Sequence, residues 1–203
     1  KFDAIYVESD MMKSALQRRG FENAVVMYNF KELEPLAESD IEYPKSEPYK
    51  LCTFSRVMKE KGIEDAINAV ESVNAHFGRT VYTLDIFGQV DVEYKERFSQ
   101  LEKSFPDYIS YGGAIEANKS VETLKSYFAL LFPTYYKGEG FAGTLIDAMS
   151  AGVPVIASDW KYNPEFVVPG KTGVIIKDCN VERLAEELIN IAAAPEKWNS
   201  MRL

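Results

Sequence analysis

The chain has one histidine, His76, and two cysteines, Cys52 and Cys179, in 203 residues. That is too little for a Cys/His zinc site or a disulfide framework, so both cysteines are expected to be reduced core residues. No apolar run reaches the roughly 18 residues of a membrane span. The opening Lys1-Phe2-Asp3-Ala4 lacks the basic and apolar regions of a secretion signal, and the expected compartment is the cytoplasm. Positive charge is also scarce: 23 Lys and Arg stand against 31 Asp and Glu, a net charge of −8. This disfavours nucleic-acid polymers as partners but leaves room for a local cationic pocket. Twelve glycines and nine prolines are too few for a fibre or an extended linker, and 46% hydrophobic with 27% charged residues is the make-up of a globular protein. A start at Lys rather than Met, and an end at Met201-Arg202-Leu203 soon after a helix-start signal at Pro195, point to a fragment of a longer protein.

Short β-rich runs alternate with helix-period segments throughout, the pattern of an α/β protein with a mainly parallel sheet and helices on both faces. A strand over 4–8, a helix capped by Ser9 and stopped by Gly20, and a strand over 24–27 make one βαβ unit within residues 1–29. Residues 30–49, acidic and carrying Pro35, Pro44 and Pro48, read as an inter-domain linker, which leaves 50–203 as a second domain. There, strands are expected over 50–54, 81–87, 109–111, 129–132, 153–157 and 173–176. Helices are expected around Ile63 to Val73, Tyr94 to Phe105, 120–128, 144–150 and 181–193. Ligands of open parallel sheets bind beyond the carboxyl ends of the strands, so functional residues are sought just after each strand.

The densest candidate is Tyr136-Lys137-Gly138-Glu139-Gly140-Phe141-Ala142-Gly143-Thr144, which runs into the helix carrying Asp147. Its glycines either permit close backbone approach to a ligand, with a helix N-terminus suited to phosphate, or only allow a tight strand-to-helix turn. The segment is neither a Walker loop nor a full dinucleotide fingerprint. Glu139 and Asp147 suit vicinal hydroxyls at the two ends of a ligand, with backbone amides for a diphosphate between them. Arg56 and Lys61, after the first strand of the second domain, are either the matching cations or a solvated basic loop. No Asp-x-Asp metal pair stands in a strand-end loop.

Four segments, in order, resemble the retaining glycosyltransferases of family 4. These are Phe54-Ser55-Arg56 with Lys61-Gly62-Ile63, Leu84-Asp85-Ile86-Phe87-Gly88, Ile109-Ser110-Tyr111-Gly112-Gly113, and Glu139-Gly140-Phe141 through Asp147-Ala148-Met149 to Ala157-Ser158. The resemblance covers roughly residues 49–193. It implies the C-terminal, Rossmann-like donor-binding half of a GT-B fold, with 1–29 a remnant of the N-terminal, acceptor-side domain. It also implies that Arg56 and Lys61 neutralise the diphosphate of a nucleotide sugar, and that the backbone of Phe141, Ala142, Gly143 and Thr144, with Gly140, completes the cradle. Glu139 would hold the transferred sugar, Asp147 the ribose, and Gly88 with Gly112, Gly113, Ala114 and Ile115 would lie near the base. Asp147 stands where the family generally has a glutamate, and Ser55 where a glycine is common.

The resemblance further implies transfer of a hexose with retention, no cofactor and no metal, and an inactive fragment without its N-terminal domain. The acceptor would be a glycan or a lipid-linked saccharide, with the full-length protein cytoplasmic or peripheral at the inner face of the membrane. The run Ser158-Asp159-Trp160-Lys161-Tyr162-Asn163-Pro164-Glu165 is similar to one in capsule and exopolysaccharide transferases, and it either borders the cleft or packs the loop onto the domain. A nucleotide-sugar epimerase and a non-catalytic nucleotide-binding module are the alternatives. His76 is a poor acid/base candidate for the first, and Asp85, inside a strand, a poor phosphate receiver for the second.

Overall fold

The computed structural model describes residues 2–31, 34–177 and 179–202. Lys1, Glu32, Leu33, Asp178 and Leu203 lie outside them, so the ends of the expected 1–29 and 50–203 spans and two residues of the expected linker are not described. The first unit is β1 (Ile5–Val7), α1 (Asp10–Gln17) and β2 (Ala24–Val26), with the two strands parallel. Ser9 caps α1 by accepting from the Met12 amide at 3.2 Å, as its position before the apolar-periodic run predicts.

The larger unit has β3 (Tyr49–Phe54), α2 (Ile63–Phe77), β4 (Tyr82–Phe87), α3 (Lys95–Glu102), β5 (Ile109–Gly113), α4 (Ser120–Leu124), β6 (Ala129–Phe132), α5 (Gly143–Ser150), β7 (Val155–Ser158), α6 (Asn163–Phe166), β8 (Gly173–Ile176), α7 (Val181–Ala193) and α8 (Pro195–Asn199). Its six strands run parallel in the order β5-β4-β3-β6-β7-β8. The first connections step outward to one side of β3 and the later ones to the other. The order therefore reverses between β3 and β6, and a crevice opens beyond their carboxyl ends. Every residue of β6 and β7 is buried, which explains their nearly continuous apolar sequence, broken only at the terminal Ser158.

One sheet face packs α2, α3, α7 and α8 around Leu51, Val70, Leu84, Phe128 and Leu188; the other packs α4 and α5 around Leu130, Leu145, Ala148 and Val155. Helices thus cover both faces, as expected. The helix expected over 120–128 stops at Leu124, because Phe128 turns into the sheet and donates its amide to Lys50 O at 2.7 Å. The four-residue α6 had no periodicity to announce it. Cys52 is buried in β3 and Cys179 is half-buried, both as free thiols, and burial pushes the Cys179 thiol up to about 11.

Of the expected linker 30–49, Tyr49 already opens β3; among the described residues of 30–48 only a 3-10 turn at Glu38–Asp40 interrupts irregular chain, yet the segment is fastened down. The Leu36 amide donates to Ser150 O at 2.8 Å, and Asn199 Nδ2 to Pro44 O at 2.8 Å. Arg202 is buried in the same layer, its guanidinium donating to the carbonyls of Lys125, Tyr127 and Phe128. No described helix is long and apolar enough to cross a membrane.

Candidate functional site

A cavity of about 520 Å³ lies at the β3/β6 switch point. That volume is in the range of small-molecule sites. Its wall carries Phe54, Ser55 and Arg56 after β3, Phe132 from β6, Glu139 from the glycine-containing loop, and Ala142 to Thr144 and Asp147 from the start of α5. Gly88, Ala114 and Ile115, after β4 and β5, line it as well, and so does Lys31.

The loops after β3, β4 and β6 approach each other closely, and glycine makes two of the contacts possible. Gly62 has φ +72°, and a Cβ there would fall 2.3 Å from Pro133 O; Gly88 has φ +137°, and its Cβ would fall 1.8 Å from Ser55 O. Gly138, Gly140 and Gly143 do not take left-handed backbone; Gly138 lies in a tight turn closed by the Glu139 amide, which donates to Tyr136 O at 3.1 Å. A Cβ at Gly138 would meet the Tyr136 ring at 2.8 Å, and one at Gly140 the Glu8 carboxylate at 2.9 Å. At Gly143 nothing is nearer than Lys31 Cδ at 3.7 Å, which leaves the first turn of α5 open towards the cavity. Ala142 at its N-cap has no side-chain acceptor to offer, and no acidic residue stands in its first turn. The helix therefore presents uncapped amides and a positive dipole end.

Lys61 is largely buried, with 10% of its side chain exposed, and donates to Glu139 Oε1 at 2.8 Å and Oε2 at 2.7 Å. The Thr134 hydroxyl donates to the same Oε2 at 2.7 Å, so Glu139 is held by two elements. Arg56 is 48% exposed; its guanidinium lies 5.4 Å from the Tyr136 ring centroid, and its nearest carboxylate, Asp91, is 3.6 Å away. The cations that sequence placed together therefore differ: one is committed to a buried partner, the other is available to an incoming anion.

Asp147, 3% exposed on α5, is met by Lys31, whose Nζ lies 2.5 Å from Oδ1. Sequence reasoning missed Lys31 because it sits in the segment read as linker, 116 positions away. It also missed Glu8, which follows β1 and accepts from the Phe141 amide at 3.2 Å. No local pattern marks either pairing.

Four expected donor residues do not line the cavity. Phe141 stacks on Phe166 with centroids 3.7 Å apart, and Gly140 faces Glu8. Gly112 lies under the Phe87 ring, where a Cβ would be 2.2 Å from Cε1, and Gly113 gives its carbonyl to the Gly88 amide at 2.9 Å. These residues shape the neighbouring loops instead. None of residues 159–165 lines the cavity either: the Trp160 indole donates to Tyr136 O at 2.7 Å, bracing the loop from behind. Glu165 accepts from the Asp10 and Met11 amides at 2.8 and 3.1 Å, joining α1 to the larger unit. Asp85 accepts from Ser110 at 2.6 Å and from Tyr127 at 2.7 Å, so it is occupied within the sheet. His76 is exposed on α2 and is not part of the cavity wall. Among the described residues no three His, Cys, Asp or Glu side chains gather as a metal site would require.

Residues 37–202 match the family model described as Glycosyl transferases group 1. A Streptococcus gordonii protein, the UDP-N-acetylglucosamine--peptide N-acetylglucosaminyltransferase GtfA subunit, is 30% identical over 178 residues, covering 84% of this chain and 34% of its own length. The Poly(glycerol-phosphate) alpha-glucosyltransferase of Bacillus subtilis is 26% identical over 163 residues, or 78% of this chain and 23% of its own length. The chain thus spans 34% and 23% of the length of these two relatives. A crystal structure of Anabaena HepE in complex with UDP superimposes with a TM-score of 0.81 over 98% of this chain and 57% of that one, at 17% identity. That likeness is one of fold.

Proposed function

The chain belongs to the group 1 glycosyl transferases, and from that premise we propose that it is the donor-binding part of a retaining family 4 hexosyltransferase. The observation that carries this reading is the meeting, beyond the switch point, of an accessible guanidinium at Arg56 with the uncapped N-terminus of α5. Breaking the bond between sugar and diphosphate puts negative charge on the departing phosphate. Arg56 and the first amides of α5 are placed to oppose that charge as it develops, and stabilisation confined to the transition state accelerates the chemical step. Lys61 acts mainly through Glu139, holding a carboxylate of fixed orientation for hydroxyls of the transferred hexose. Asp147 accepts from the ribose, and Ala114 and Ile115 flank the base. No divalent ion is required, because Arg56 and the helix dipole take over charge neutralisation.

The acceptor, a glycan or lipid-linked saccharide, sits on an N-terminal domain of which the β1–α1–β2 unit is a part. The relatives' names, which refer to peptide and poly(glycerol-phosphate), favour a polymeric acceptor; a place in capsule or exopolysaccharide synthesis is supported by the resemblance of residues 158–165. The full-length protein works in the cytoplasm, peripheral to the membrane where its acceptor is lipid-linked. An epimerase would need a free acid/base pair in the cleft; the carboxylates there are held by Lys61 and Lys31, and the sole histidine lies elsewhere.

The test is incubation of the full-length protein with UDP- and GDP-hexoses and polysaccharide-repeat acceptors. Release of UDP or GDP that depends on acceptor, with the product anomer matching the donor by NMR, is expected. An inverted product would overturn retention, and epimerised nucleotide sugar formed without acceptor would overturn transfer.

A further inference from the structure

Among the described residues, Lys31 is the one cavity residue carried by the segment between β2 and β3. Its ammonium reaches Asp147 Oδ1, while no second hydrogen bond to Lys31 Nζ and none to Asp147 Oδ2 is present among the described residues. The Asp147 side chain is 5% exposed, so a lone carboxylate there would be costly to desolvate and the ammonium is its compensation. The position of Lys31 does not depend on that ion pair alone. Two residues before it, Asn29 Nδ2 donates to Phe141 O at 3.3 Å, just ahead of α5. Five residues after it, the Leu36 amide donates to Ser150 O at 2.8 Å, at the far end of the same helix. Asn29 and Leu36 thus meet α5 at its two ends, with Lys31 directed at Asp147.

We propose that Lys31 is a nucleotide-binding residue acting as one unit with Asp147, a paired donor and acceptor that reads the vicinal hydroxyls of the ribose. Each hydroxyl can both donate and accept, and the pair offers one unfilled carboxylate oxygen beside two unfilled ammonium N–H groups. One ribose hydroxyl donates to Asp147 Oδ2 while the other accepts from Lys31 Nζ. The ammonium also brings a third positive charge to the wall of a site meant for a nucleoside diphosphate. The opposite possibility, a lysine that plugs the site and must be expelled by ribose, predicts effects of the opposite sign. This inference rests on the donor-site reading given under Proposed function.

The experiment is calorimetric titration of the protein with UDP, GDP and 2′,3′-dideoxy-UDP, using wild type, Lys31→Met and Lys31→Met/Asp147→Asn. The double variant leaves no buried lone carboxylate, so it reports binding even if the single variant folds poorly. Lys31→Met is expected to weaken the preferred diphosphate about tenfold, the size of one charge-assisted hydrogen bond, and the double variant to weaken it further. Against the dideoxy ligand the Lys31→Met penalty is expected to shrink, because protein and ligand changes then remove the same contact. Unchanged or tighter UDP and GDP binding by both variants would overturn the proposal, as would an equal penalty with the dideoxy ligand. Failure of the wild type to bind either diphosphate would instead overturn the donor-site reading beneath it.

Discussion

Arg56 and Lys61 stand five residues apart on one loop, and their surroundings set them to different work. Lys61 is packed between the Phe132 and Tyr136 rings, 5.5 and 5.3 Å from their centroids, and bonded to both oxygens of Glu139. Arg56 lies 5.4 Å from the centroid of the same Tyr136 ring but is half exposed, with one weak carboxylate neighbour. A buried ion pair with aligned hydrogen bonds is expensive to break, whereas an exposed one is worth little. Lys61 therefore belongs to the architecture of the cavity, while the proposed function gives Arg56 its chemistry.

The largest effect that would test this contrast is Lys61→Ala. It strands a carboxylate with 6% of its side chain exposed, and a loss of about 3–5 kcal/mol of folding stability is expected by denaturant titration, with transfer abolished as well. Stability equal to wild type would erase the distinction between the two cations. Next comes Arg56→Ala: transfer should fall by about 2.7–4 kcal/mol of transition-state stabilisation, while the melting temperature stays at the wild-type value. A variant that melts early and keeps its turnover would reverse the assignment.

Thr134→Val sharpens the Lys61 side. It removes the second donor to Glu139 with little change in volume, and a cost of about 1–3 kcal/mol is expected in chemical denaturation, with transfer reduced but retained. The smallest expected effect is that of Asp91→Asn, which frees Arg56 from its only carboxylate neighbour at 3.6 Å. Stability should change by less than about 1 kcal/mol, with donor affinity equal or slightly higher. A large loss in either would mean that Asp91 positions Arg56.

The same contrast explains what could be read from sequence. The alternation of strands and helices is local, and it located the strands and the loops that line the cavity, but not the strand order that sets the switch point. Arg56, Lys61, Glu139, Gly143 and Asp147 could be found because each closely follows a strand or opens a helix. Their partners could not: Lys61 and Glu139 are 78 positions apart, Lys31 and Asp147 116, and Glu8 and Phe141 133. Such pairs exist only once the parallel crossovers bring loops together. The glycines show the limit most plainly. Sequence leaves Gly138 and Gly140 between a ligand cradle and a tight turn, while in the structure their lack of a side chain also makes room for a tyrosine ring and a glutamate. The residues 30–49 have a linker's composition, yet carbonyl and amide contacts tie them down at Ser150 and Asn199. Acidic and proline-rich sequence reports exposure, and says nothing of where the backbone hydrogen bonds go.

The central claim, that Arg56 and the N-terminus of α5 hold the diphosphate of a nucleotide sugar, is tested most directly by calorimetric titration of wild type and Arg56→Ala with UDP and GDP. One saturable site for at least one diphosphate is expected in the wild type, with affinity at least about tenfold lower in Arg56→Ala at an unchanged melting temperature. Equal affinity in the two proteins, or no binding of either diphosphate by the wild type, would contradict it.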